Sequence, residues 1–203
     1  ANSPSFTTTA TAANLGSYTV AISTPTGYVM SGPARLTLAN AANPARLVNL
    51  SILTPLANGE TMTMGTALGG AGTAGTKALL VRAVGPSLSA FGITSSVPDP
   101  RMVINSTSVS PAVVVATNDD WGGSATLSAA FSSVGAFAYA SPASKDAAVF
   151  NPALAPGNYT VNVTGGNGSG LVIAELYDST PSEAFTASTP RLVNVSALKQ
   201  IGA

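Results

Sequence analysis

Arg46-Leu47-Val48-Asn49-Leu50-Ser51 stands at the head of a long series of short apolar runs, and nearly the same stretch returns as Arg191-Leu192-Val193-Asn194-Val195-Ser196 near the other end of the sequence. After the first copy the chain breaks into segments of strand length, and Gly or Pro punctuates nearly every gap. Strands are expected at 46–53, 60–68, 77–83, 101–105, 112–117, 135–139, 146–150, 158–164 and 170–177. Many short strands at regular spacing argue for an antiparallel β-sandwich, jelly-roll-like in its connections. Glycine-rich stretches at 69–75 and 165–170 are flexible hairpin loops. A helix is expected in one place, 124–133, where Leu127, Ala130 and Phe131 share a face after a Gly-Gly opening.

Upstream, residues 1–40 also consist of strands and turns. Residues 6–11 are β-branched and alternating, Tyr18, Val20 and Ile22 fall on one side of a strand, and Leu36 and Leu38 fall on one side of another. Thr24-Pro25-Thr26-Gly27 is a turn signal between them. The expected domains are therefore strands at 1–40, a linker at 41–45, a sandwich at 46–180, and a linker with a final strand at 181–203. The whole chain is all-β.

Two resemblances bear on this division. Asn14-Leu15-Gly16-Ser17-Tyr18-Thr19-Val20 is similar to the end of an immunoglobulin-like domain, where a Tyr hydroxyl forms a corner before the F strand. It departs from that pattern in having Asn14 for the usual Asp and Val20 where many such domains have Cys. It covers only strands E, F and G, which implies a partial sandwich whose apolar face something else must cover. Arg46-Leu47-Val48-Asn49, Val81-Arg82-Ala83-Val84-Gly85-Pro86-Ser87-Leu88, Asn118-Asp119-Asp120-Trp121-Gly122 and Leu154-Ala155-Pro156-Gly157-Asn158-Tyr159-Thr160, with Glu175-Leu176-Tyr177-Asp178, resemble a β-sandwich module repeated in tandem in large secreted proteins of environmental bacteria. That resemblance implies a fold and no catalytic residues, and in it the Arg-Leu-Val-Asn motif begins each module.

Composition narrows the function. Of 203 residues 45% are hydrophobic and only 8% charged, eight of each sign, against roughly 25% charged in ordinary domains. So little charge leaves weak repulsion between copies, which favours self-association. The eight basic residues are scattered, so no phosphate-binding stripe for nucleic acid is formed. No apolar run is long enough for a membrane helix. Ser/Thr/Gly/Asn-rich, Lys-poor β sequence is associated with an extracellular or cell-surface location.

Chemistry is sparse. The absence of His and Cys removes imidazole bases, thiol nucleophiles and the usual zinc ligands, and Lys77, Lys145 and Lys199 lie in no Ser-x-x-Lys context. An enzyme is not expected. Asn118, Asp119 and Asp120 are the most concentrated polar group. They are candidate calcium ligands with Asp146 or Asp178 nearby, or else an Asx-type turn with Trp121 over the end of the core. Otherwise no cofactor is expected. Arg82, in an apolar strand, calls for a buried acidic or carbonyl partner as a structural anchor. Asn49, Asn105, Asn158, Asn162, Asn167 and Asn194 begin glycosylation sequons, though Asn49 and Asn194 belong to the repeated motif.

The expectation for function follows from the second motif copy. No domain comes after it, which suggests either a piece of a tandem adhesin or stalk, or a subunit whose last strand serves a neighbour. In the second case Leu192, Val193, Val195, Leu198 and Ile201 form an unpartnered apolar tail that docks on the next copy, against Tyr18, Val20, Ile22, Leu36 and Leu38 or against residues 45–57. Such a contact is head-to-tail and non-closing, and it builds a filament. Carbohydrate binding is the remaining alternative; it needs an aromatic platform that Trp121, Tyr28, Tyr139 and Tyr177 do not obviously make.

Overall fold

The computed structural model describes residues 5, 7, 8, 11–36 and 46–199. The chain divides into two units, Ala1–Ala42 and Asn43–Ala203.

The first unit holds two small antiparallel sheets. One pairs β1 (Gly16–Tyr18) with β4 (Ala34–Leu36), and the other pairs β2 (Ala21–Thr24) with β3 (Gly27–Met30). Pro25 and Thr26 form the two-residue turn of the β2–β3 hairpin, and the Thr24 hydroxyl donates to the Gly27 carbonyl at 3.1 Å. The single strand expected through Tyr18, Val20 and Ile22 is interrupted: Ser31 takes over both backbone groups of Val20, through its Oγ at 2.9 Å and its N–H at 2.8 Å. Val20 is 61% and Ile22 64% exposed, so they share no buried face with half-buried Tyr18. Of the strand expected at 6–11, residues 7, 8 and 11 are not in a strand and the rest lie outside the described residues, as does Leu38.

The second unit is an antiparallel β-sandwich. One sheet contains β5 (Asn49–Leu56), β7 (Lys77–Val84), β10 (Ala147–Leu154) and β12 (Gly170–Asp178), in the order β10-β7-β12-β5. The other contains β6 (Thr61–Gly69), β8 (Arg101–Ser106), β9 (Val113–Asn118), β11 (Gly157–Thr164) and β13 (Arg191–Leu198), in the order β13-β6-β11-β8-β9. Only the β8–β9 hairpin keeps the chain in one sheet; every other connection between consecutive strands crosses to the opposite sheet, as in a jelly roll. Residues 57–60 reverse the chain between β5 and β6, and β13 is antiparallel to β6, so β5 and β13 point the same way.

Alternation explains the inner faces. Met62, Met64 and Leu68 of β6, Tyr159, Val161 and Val163 of β11, and Val172, Ala174 and Leu176 of β12 meet between the sheets. Strand β7 is buried on both faces and reads as an apolar run, not an alternation. Leu79, Val81 and Ala83 enter the inter-sheet core, while Leu80, Arg82 and Val84 face an outer layer built by α1 (Ala125–Ser133) and a 3-10 turn at Pro86–Phe91. Ser124 caps α1 by accepting from the Leu127 N–H at 3.4 Å, and Ala130 and Phe131 are its buried residues. The strand expected at 135–139 does not form. Phe137 and Tyr139 instead turn into the outer layer, where Arg82 gathers them.

One local device occurs in both units. The Tyr18 hydroxyl donates to the Asn14 carbonyl at 2.5 Å, and the Tyr159 hydroxyl donates to the Ala155 carbonyl at 2.7 Å. In each case a glycine two residues before the tyrosine, Gly16 or Gly157, has positive φ and turns the chain into the strand.

Candidate functional site: the C-terminal strand and the buried polar anchors

The tail expected to be unpartnered is β13, an edge strand of its own sandwich. Arg191 and Leu192 pair with Gly69 and Leu68; after a bulge at Val193 the register resumes with Asn194 opposite Ala67 and continues to Leu198 opposite Thr63. The bulge inserts one residue, and that places Leu192 and Val195 on the inner face. Leu192 is 7% exposed and Val195 packs partly buried against the core, whereas Val193 at 60% and Leu198 at 73% point outward. The Thr66 hydroxyl donates to the Asn194 carbonyl at 3.0 Å, and the Ala74 N–H donates to the Ser188 carbonyl at 2.9 Å. Ile201 lies outside the described residues.

The two motif copies thus occupy different seats. The first leads into β5 at the edge of the four-stranded sheet, with Leu47 and Val48 exposed, and the second forms β13 at the edge of the five-stranded sheet, with Leu192 buried. Leu47 precedes the β5 ladder and is exposed, while its counterpart Leu192 pairs with Leu68 inside the β13–β6 ladder and is buried; Val48 and Val193 are exposed in both copies.

The Asn118–Trp121 stretch is a closed turn. Asn118 Oδ1 accepts from the Ala148 N–H at 2.9 Å and its Nδ2 donates to the Asp120 carbonyl at 3.0 Å. Asp119 pairs with Arg101 at 2.8 Å and Asp120 with Lys145 at 2.5 Å, the latter contact raising the Lys145 pKa. Trp121 donates from Nε1 to the Ser141 carbonyl at 3.1 Å and covers the end of the outer layer. The two carboxylates point to separate cations, and among the described residues no group of three acids converges on one point. Arg101 is more than half exposed, so Arg101→Ala is expected to cost only about 0–1 kcal/mol in urea unfolding, as surface ion pairs do.

Two buried polar groups hold the four-stranded sheet to its outer layer, and a third ties two of its strands together. Asp146 is fully buried and accepts from the Gly85 N–H at 2.7 Å, the Ser87 N–H at 3.2 Å, and the hydroxyls of Ser87 and Ser144. The Ser87 hydroxyl in turn accepts from the Ala140 N–H at 2.8 Å. Between two inward-turned neighbours, Ser144 and Asp146, Lys145 turns out to Asp120.

Arg82 is the second anchor. Its guanidinium lies 4.5 Å from the Phe131 ring, 4.4 Å from Phe137 and 4.5 Å from Tyr139, with Nη1 3.4 Å from Glu175 Oε2. Glu175 Oε1 also accepts from the hydroxyls of Tyr177 at 3.0 Å and Ser51 at 3.1 Å. Burial, with the neighbouring Glu175 charge, pushes the Tyr177 hydroxyl pKa up to about 12. Residue type alone called for such a partner; pairing across β7 and β12 supplies it, since Glu175 stands opposite Arg82 in the ladder.

The third anchor is a pair that the sequence reading did not single out. Lys77 opens β7 and Asp178 closes β12, with Lys77 Nζ 2.5 Å from Asp178 Oδ2 and neither side chain accessible to solvent. Arg46 reaches the same oxygen at 3.5 Å and stacks on Phe185 at 4.4 Å. An open cleft of about 660 Å³ lined by Arg46, Asn49, Gly135, Asp178 and Glu183 leads to this place. The available signal was a lysine heading the apolar run Ala78-Leu79-Leu80-Val81.

Among the sequon asparagines, Asn158, Asn167 and Asn194 are exposed, and Asn49, Asn105 and Asn162 are half-buried. Asn162 Oδ1 accepts from the Thr63 hydroxyl at 3.1 Å on the outer face of the β6–β11 pair. Among the described residues no helix is long and apolar enough to cross a membrane. No protein-family model, curated protein or solved structure matches the chain.

Proposed function

We propose that the chain is a non-catalytic structural building block of an extracellular or surface fibre, and that neighbouring copies are joined head-to-tail by exchange of β13. The observation that carries this reading is the seat of β13: a strand at the sheet edge, anchored in the core by Leu192 and Val195, that follows a largely exposed segment at 179–190. A strand in that position can leave β6 and be replaced by the same strand of a neighbour, which remakes the same ladder and buries the same side chains. Passing each β13 to the next copy gives a non-closing chain of contacts. The low charge of the surface opposes this little.

The test is the mass of the particle in solution. Light scattering across a concentration series, before and after brief partial unfolding, is expected to show species larger than the 20.0 kDa chain, and Leu192→Asp is expected to abolish them. A folded protein that stays monomeric throughout overturns the strand-exchange joint. A second reading, a spacer module in a tandem stalk or adhesin, is favoured by the repeated motif; native material with a mass several times that of this chain is its expected result. Carbohydrate binding has less support, because Trp121, Tyr139 and Tyr177 are buried and Tyr28, 71% exposed, is left without them as a platform.

A further inference from the structure

We propose that Lys77 and Asp178 are the partners of an intramolecular isopeptide bond that ties β7 to β12. Asp178 stands opposite Leu79 in the ladder, and Lys77 is two residues away, so the two side chains are diagonal neighbours on one face of adjacent strands. Their contact distance is 2.5 Å, neither side chain is accessible to solvent, and Nζ has no second acceptor placed for it.

Burial makes the pair reactive. Desolvation, helped by the charge of Arg46 and opposed by the hydrogen bond and charge of Asp178, lowers the Lys77 pKa below its usual 10.5, which favours the neutral amine that the reaction needs. The reaction requires no co-reactant. Transfer of one proton from Nζ to Oδ2 leaves a neutral amine beside a carboxylic acid. The nitrogen lone pair then attacks Cγ, and negative charge gathers on Oδ1, where the Thr180 N–H already donates at 2.9 Å. Arg46 Nη1, 3.5 Å from Oδ2, keeps the carboxyl polarised. A second proton passes from nitrogen to Oδ2, the Cγ–Oδ2 bond breaks, and one water departs, leaving an amide with a single N–H. Ammonium carboxylate minus water is the complete balance.

The surroundings suit each step. The Phe185 ring, 5.2 Å from Nζ, closes the site on one side, and the cleft bounded by Arg46, Asp178 and Thr180 gives the departing water a way out. Two groups fixed in contact by the strand ladder react with the high effective concentration of an intramolecular pair. The bond does not depend on strand exchange; a monomer would carry it equally.

The measurement is the intact mass of the full chain, unfolded in acid. The expected value is lower than the sequence mass by one water. Digestion with trypsin is expected to give a branched peptide joining residues 47–82 to residues 146–191, with no cleavage after Lys77. Lys77→Arg and Asp178→Ala are each expected to restore the full mass, and because the mass is read on unfolded chains, a variant that folds poorly still reports. Wild-type chain at full sequence mass, cut normally after Lys77, overturns the proposal.

Discussion

Arg82→Ala is expected to lower the unfolding free energy by about 3–5 kcal/mol, the range seen when one member of a buried ion pair is removed. The loss arises mainly from what stays behind. Glu175 remains 4% exposed with its charge no longer balanced, and Phe131, Phe137 and Tyr139 lose the cation they surround. Arg82 sits on the outward face of β7, so its removal also opens a void between the four-stranded sheet and the α1 layer. Urea unfolding checks the size of the effect. The double change Arg82→Met with Glu175→Gln is expected to recover a large part of the loss, because no unbalanced charge is left inside. Equal losses for the single and double variants would show that packing, not charge balance, sets the value.

Asp146→Ala is expected to cost a similar amount, about 3–5 kcal/mol, for a different reason. One carboxylate serves four donors: the amides of Gly85 and Ser87 and the hydroxyls of Ser87 and Ser144. Alanine leaves the buried amides without an acceptor in a place where the backbone cannot adjust. A Cβ on Gly85 would already lie 2.0 Å from the Val97 carbonyl oxygen, so that stretch is packed against its neighbour. Asp146→Asn keeps one acceptor oxygen and is expected to cost roughly half as much. Thermal melting gives the magnitude, and hydrogen exchange at Gly85 and Ser87 gives the location: these amides are expected to lose protection well before those of β11. Uniform loss across the sandwich would mean that Asp146 supports the whole core and not this joint.

The sandwich was legible in the sequence because its inner strands obey simple patterns. Met62, Met64 and Leu68 alternate with small or polar residues, as do Tyr159, Val161 and Val163, and Gly or Pro ends each run. The failures have physical causes. Phe137 and Tyr139 alternate like strand residues, but their partner is the Arg82 side chain and not a ladder, and alternation alone does not distinguish the two. Tyr18, Val20 and Ile22 share a period without sharing a buried face, because Ser31 satisfies the Val20 backbone and bends the chain away. The site was less legible than the fold. Arg82 announced its need for a partner by its residue type, whereas Lys77 and Asp178 stand far apart in the chain and meet only through the order of β7 and β12. The seat of β13 was hidden for another reason: its sequence nearly repeats that of β5, and which edge it fills depends on the strand beside it.

That β5 and β13 point the same way has a mechanical meaning. The polypeptide enters the sandwich at one pole and leaves it at the other, so tension along the chain pulls these two edge strands lengthwise in opposite directions. Each lies antiparallel to a single neighbour, β5 along eight residue pairs with β12 and β13 along seven with β6. Such a load shears each ladder as a whole, straining many hydrogen bonds at once, where a pull across the strands would unzip them singly. A sandwich with this strand arrangement resists extension most strongly along the direction in which its own backbone runs.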